Sequence, residues 1–166
     1  MILGLSTADF TTLHVVVSLF AIIAGAVVVG GMFAGRTAPL WTALYFAAML
    51  FISASGFFFH AAGVMPSHVV GVLSLIVLAV AMAGLYAFNL AGGWRSVYVV
   101  GMLVAFYLNV FVAVVQAFEK IPALKPLAPT QSEPPFLVAQ IVVLAGFVSL
   151  GIVALRRFRP AAGAAA

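Results

Sequence analysis

Residues 109–140 read NVFVAVVQAFEKIPALKPLAPTQSEPPFLVAQ, from Asn109 to Gln140. This stretch holds both lysines of the chain, two of its three acidic residues and five of its eight prolines. Its flanks are apolar enough for lipid, whereas its middle is polar and stiff. Proline fixes its own backbone and pushes the preceding residue out of the helical region, so the middle cannot continue either helix. The stretch therefore predicts the end of one membrane helix, a constrained external loop over residues 121–135, and the start of the next helix. An antiparallel helix pair needs only a few connecting residues, so a loop of this length and rigidity predicts a segment folded back over the bundle end.

The rest of the composition agrees. Of 166 residues, 66% are apolar and 6% charged. A soluble domain carries roughly a quarter charged residues, so this chain needs lipid as its solvent. Its length allows one compact bundle. The absence of cysteine excludes disulfides, thiolate metal ligands, iron–sulfur clusters and thiol nucleophiles. Residues 1–10 carry no lysine or arginine, so they lack the basic n-region of a secretory signal, and the first helix is expected to be retained.

Five segments are long enough to cross a hydrocarbon core of about 30 Å, which takes ~20 helical residues. They cover about residues 11–34, 40–62, 67–90, 94–120 and 135–155, and residues 161–166 read as a flexible tail. The fold expected is an all-α, five-helix transmembrane bundle forming a single domain over residues 1–160. Alternation of the ends sorts the charges. Arg36, Arg95, Arg156, Arg157 and Arg159 fall on one side; Asp9, Glu119, Glu133, Lys120 and Lys125 fall on the other. The positive-inside rule makes the arginine side cytoplasmic, which predicts an N-terminus out and a C-terminus in. The net charge of +4 follows from this sorting, and no nucleic-acid partner is implied.

Small residues four apart predict close helix contacts at Ala26 and Gly30, Gly31 and Gly35, Ala79 and Ala83, and Ala145 and Ser149. The longest such line is Gly101, Ala105, Asn109, Ala113 and Ala117, which predicts a central fourth helix.

Polar side chains at membrane depth are costly and each requires a role. His14, His60, His68, Gln116 and Gln140 all fall near the external level, one per helix. Asn109 lies on the same face as Gln116, roughly 10 Å deeper at 1.5 Å per residue. Three readings stand side by side. The polar groups can bond between helices or sit among lipid headgroups. The histidines can bind metal: His14, His60 and His68 with Met65, Glu119 or Asp9 compose a copper or zinc set, and two histidines facing across the bundle would hold a haem. Finally, His14, His68, Asn109, Gln116, Gln140 and Glu133 can line a pocket for a lipid, a quinone-like or another apolar small molecule, above walls rich in phenylalanine.

Several classes are excluded. No carboxylate lies in mid-helix, as a proton- or ion-coupled transporter requires. No phosphate-cradling glycine loop and no nucleophile elbow is present. No catalytic residues are predicted.

The motifs Tyr107-Leu-Asn-Val-Phe-Val112, Val115-Gln-Ala-Phe118 and Leu127-Ala-Pro-Thr-Gln-Ser-Glu-Pro-Pro-Phe136, with Trp94-Arg95, resemble a family of small bacterial inner-membrane proteins without an assigned activity. The resemblance covers nearly the whole chain, and the proline-rich motif is its most specific part. It implies a bacterial inner membrane and supplies no mechanism. The family often places proline or phenylalanine after the Gly-Phe-Phe of the second helix, where this chain has Phe59-His60, so His60 departs from the pattern. The expected function is thus a non-catalytic binding or accessory subunit with a polar site at its periplasmic face, working as a homo-oligomer or within a larger membrane complex. The alternative is a haem- or copper-binding redox protein.

Overall fold

A computed structural model describes residues 1–59 and 66–160. It is all-helical among these residues, with α1 (Thr7–Phe33), α2 (Pro39–Ser55), α3 (Pro66–Met82), α4 (Trp94–Lys120) and α5 (Pro134–Arg157). All five helices, with the short turns that prolong α2 and α3, are long and apolar enough to cross a membrane.

Local chemistry sets most of the ends. Ser6 caps α1: its hydroxyl oxygen accepts from the Asp9 amide at 3.1 Å and its hydroxyl donates to the Asp9 carboxylate at 2.6 Å. The helix therefore begins earlier than residue 11. At its other end Gly35, at φ +72°, reverses the chain while Arg36 N–H donates to the Gly31 carbonyl and Gly35 N–H to the Met32 carbonyl. That pair of bonds is the Schellman motif, which needs a left-handed residue that glycine supplies without a Cβ penalty. Proline opens α2 and α5 at positions where a missing N–H costs nothing.

Two helices end earlier than their hydropathy suggests. The α-helical part of α2 stops at Ser55, followed by a tighter turn at Gly56–Phe58 and an extended Phe59. The expected run to residue 62, with His60 in its last turn, continues into residues that lie outside those described. α3 gives way at Met82 to a widened π turn, Ala83–Ala87, in place of a regular helix to residue 90. Gly84 lies within this turn, where a Cβ would sit 3.2 Å from the Trp94 carbonyl, so the chain returns on itself at close range. Phe88 stacks on Trp94 across this turn, ring centroids 3.8 Å apart.

α4 is the centre of the bundle and touches α1, α3 and α5; α1 and α3 each pack on α2. Half of the most apolar window of α4 is buried, against 6% for α5, which lies at the periphery on α4 and α1. The predicted small-residue line on α4 is realised in its first three members, with Gly101, Ala105 and Asn109 buried and Ala113 and Ala117 half-buried. A Cβ on Gly101 would meet Ala81 Cβ at 3.0 Å, which marks the α3–α4 crossing. Gly25, facing Phe106 and Tyr45 at 3.1 Å, plays the same part between α1 and its neighbours. Of the other predicted pairs, Gly31 and Gly35 do meet neighbouring backbone, at Arg36 and Arg157, whereas most of the rest face outward. Ala26, Gly30, Ala79, Ala145 and Ser149 are exposed on the apolar surface, because the buried stripe of α1 instead follows Ala21, Ala24, Gly25 and Val28.

Cross-helix contacts also fix which ends lie together. Arg95, opening α4, bonds carbonyls at the end of α5, and Gly35, beyond α1, lies against the Arg157 carbonyl. These arginines therefore share one end of the bundle. His14, Ser55 and His68 lie toward the other.

Candidate functional site

At that second end α1, α2, α3 and α4 enclose a cavity of ≈ 110 Å³. Its polar wall is made by His14 and Ser18 of α1, Ser53 of α2, His68 and Ser74 of α3, and Asn109 of α4. Met49, Ile52, Leu108 and Val112 supply apolar surface between them. Gly71 makes room for the adjoining ring of Phe57, since a Cβ there would lie 3.2 Å from that ring.

The early start of α1 puts His14 about 10 Å inside the helix, at 1.5 Å per residue, and not in its first turn. Its Nδ1 lies 2.9 Å from the Ser55 hydroxyl, and its ring meets Phe59 edge-on. Ser55 is also 3.4 Å from the Ile52 carbonyl. A hydroxyl has a single proton, so its choice of acceptor sets which tautomer His14 adopts. If Ser55 donates to Nδ1, Nε2 carries the ring proton; if Ser55 donates to Ile52, Nε2 is an acceptor. Each hydroxyl orientation thus pairs with one ring tautomer, and Nε2 is a donor in the first and an acceptor in the second.

Asn109 anchors the deep end. It is 8% exposed, and its Nδ2 donates to the Ser18 carbonyl at 3.1 Å. Fixing the amide nitrogen in this way orients the side-chain carbonyl oxygen as the group left to accept. His68 stacks on Phe57, ring centroids 5.4 Å apart and nearly parallel. Ser53 and Ser74 are buried hydroxyls that both donate and accept. The cavity thus offers imidazole, amide and hydroxyl groups on apolar walls.

Three of the six expected ligand-binding residues, His14, His68 and Asn109, come together here. The other three do not. Gln116 shares a helix face with Asn109, but its amide donates to the Glu119 carboxylate at 3.2 Å and the cavity ends at Val112. Gln140 is buried on the opposite side of α4, where its Nε2 donates to the Phe111 carbonyl at 3.2 Å. Glu133 caps the proline-rich loop, accepting from the Thr130 hydroxyl at 2.8 Å and from the Thr130 and Ser132 amides at 3.1 Å. The loop does fold back: Gln131 reaches the Val115 carbonyl at 3.4 Å. It contacts the C-terminal part of α4, and its described residues do not line the cavity.

The metal set fares differently. His60 and Met65 lie outside the described residues. Among the described residues no three histidine or carboxylate side chains converge as a metal would require, and Glu119 is exposed and engaged with Gln116.

Sequence reasoning missed Ser55, Ser67 and Phe57. Ser67 precedes His68 at the start of α3 and was legible as part of the same helix opening, whereas Ser55 acquires its role only when α1 is laid against α2. Comparison with protein-family models, with curated proteins and with solved structures returns no match.

Proposed function

We propose that this chain is a multi-pass protein of a bacterial inner membrane, N-terminus out and C-terminus in, that binds a small apolar molecule through its polar headgroup. It acts as a non-catalytic binding or accessory subunit. The observation that carries this reading is the cavity at the arginine-free end, where His14, His68 and Asn109 meet three buried or half-buried serines on apolar walls. Polar groups gathered in one place at membrane depth are the usual mark of a site for a ligand or ion. The orientation is supported by the five arginines at the opposite end, and the bacterial membrane by the resemblance in the proline-rich motif.

Size narrows the ligand. An apolar cavity of about 150 Å³ accommodates benzene, and pockets for drug-sized molecules run from roughly 300 to 1,000 Å³. A cavity of ≈ 110 Å³ therefore takes a headgroup and leaves the remainder of the molecule outside.

The test is an absorption spectrum and metal analysis of the purified protein, together with mass spectrometry of its organic extract. Colourless protein that carries a lipid or quinone, and loses it on Asn109→Leu, bears the proposal out. A Soret band or stoichiometric copper overturns it in favour of a redox centre. For orientation, the natural chain has no cysteine, so Ser132→Cys and Arg159→Cys give single labelling sites. Impermeant maleimide applied to intact cells should label the first and spare the second; the reverse pattern overturns the topology.

A further inference from the structure

A second, larger concavity of ≈ 510 Å³ adjoins the polar cavity at the same end. Its walls are Phe57, Phe58 and Phe59 on one side and Met1, Ile2 and Leu3 on the other, with the N-terminal ammonium carried by Met1. The N-terminal wall is a tight turn: Ile2 and Leu5 exchange backbone hydrogen bonds at 2.9 and 3.0 Å, around Leu3 and Gly4 at φ +51° and +84°. Phe57 and His68 line both spaces. Their stacked rings form the partition between them.

Neither compartment is a complete site. The cavity has the hydrogen-bonding groups but is too small for more than a headgroup. The groove has the size of a small-molecule pocket, yet His68 is its polar side chain among the described lining residues. Charge decides the class of head. No lysine, arginine, aspartate or glutamate is among the described residues lining either space. An ammonium head would be desolvated there with no carboxylate beside it among the described lining residues, at a cost of several kcal/mol. A carbonyl or hydroxyl head meets amide, imidazole and hydroxyl partners and carries no such cost.

We infer that groove and cavity are two compartments of one site for an uncharged amphiphile, with its carbonyl- or hydroxyl-bearing head beyond the Phe57–His68 pair and its apolar body along the phenylalanines. This rests on the binding role proposed above and extends it to the ligand's charge, its route and a second contact surface. Gly71 adjoins this partition: a Cβ there would lie 3.2 Å from the Phe57 ring, so the absent side chain leaves that ring its place beside α3.

The experiment is calorimetric titration of decylbenzoquinone, a neutral head on a decyl chain, into the full-length protein in micelles. Decyltrimethylammonium, with the same chain and a charged head, is the comparison. The expected result is saturable binding of the first and none of the second. Phe58→Ala, which alters only the groove, and Ser74→Ala, which alters only the cavity, should each weaken binding at least fivefold. Circular dichroism verifies that both variants remain folded, and Asn109→Leu serves as the cavity variant if Ser74→Ala does not. Loss confined to the cavity variant leaves the binding role standing and overturns the two-compartment site. Loss confined to Phe58→Ala places the whole ligand in the groove and overturns both. Equal binding of the ammonium compound overturns the uncharged class, and no saturable binding of either overturns the inference.

Discussion

The guanidinium of Arg95 donates to the carbonyl of Phe158 at 2.7 Å, and through the same nitrogen to that of Leu155 at 3.0 Å. Arg95 thereby ties the first turn of the central helix to the last turn of the peripheral one. The final carbonyls of a helix lack intrahelical partners and carry the negative end of its dipole, so a half-buried cation is well placed there. α5 has little other buried surface, which makes this tie important for its docking. Arg95→Ala should lower unfolding stability in micelles by about 2 kcal/mol, the scale of a charged hydrogen bond. Arg95→Lys, with a single ammonium in place of a planar fork, should lose roughly half as much. Equal stability of all three proteins would show that the cap contributes nothing.

The α3–α4 crossing depends on a missing side chain. A methyl group on Gly101 would press on Ala81 Cβ at 3.0 Å and on the Val77 carbonyl at 3.3 Å, and neither of these can rotate away. Gly101→Ala should therefore cost about 1–3 kcal/mol through overpacking. Gly30 is the control: nothing lies within 4 Å of the position its Cβ would occupy. Gly30→Ala removes backbone freedom from the unfolded chain and should be neutral or stabilising by up to about 1 kcal/mol. Denaturant titrations of the two variants should move in opposite directions.

These two sites show what was readable in one dimension. The five apolar segments follow from solvent alone, and α4 keeps its predicted bounds because Gly93 and Pro122 bracket it. The end of α2 was hidden, since Phe57, Phe58 and Phe59 continue the apolar run while the backbone leaves the helix. The π turn after Met82 sits where Gly84 meets Trp94, a contact that hydropathy cannot register. In the site, the shared level of His14 and His68 was legible from topology. Separating Asn109 from Gln140 needed the faces of α4, because the two lie on opposite sides of the same central helix.

Gln140 provides a sharper test of polar burial. Its amide nitrogen is bonded to Phe111, while its buried carbonyl oxygen has no partner among the described residues. An unsatisfied buried acceptor costs about 1–3 kcal/mol, more than the ~1 kcal/mol that one neutral hydrogen bond returns. Gln140→Leu, of similar size, should therefore leave thermal stability unchanged or raise it. A fall of several degrees in the melting midpoint would contradict this, and would identify that oxygen as bonded in the folded protein.

The loop carries a pH dependence through Glu133. Desolvation by itself would raise the pKa of this carboxyl, but the Thr130 hydroxyl and the Thr130 and Ser132 amides together outweigh it and hold the group below its ordinary 4.5. All of these donors favour the ionised form. A group with a depressed folded pKa stabilises the fold above its unfolded value and loses that contribution as pH falls through the folded value. The effect is local, because the carboxylate is accessible to water. Glu133→Gln keeps the size and removes the charge, so it should loosen residues 121–133 at neutral pH and match the natural chain once pH has fallen below the folded pKa of Glu133. Hydrogen exchange of the Thr130 and Ser132 amides reads this directly. Their protection should fall with pH in the natural chain, with a midpoint below 4.5, and should be low and flat in the variant. Equal protection in the variant and the natural chain at neutral pH would mean that the prolines alone order the loop.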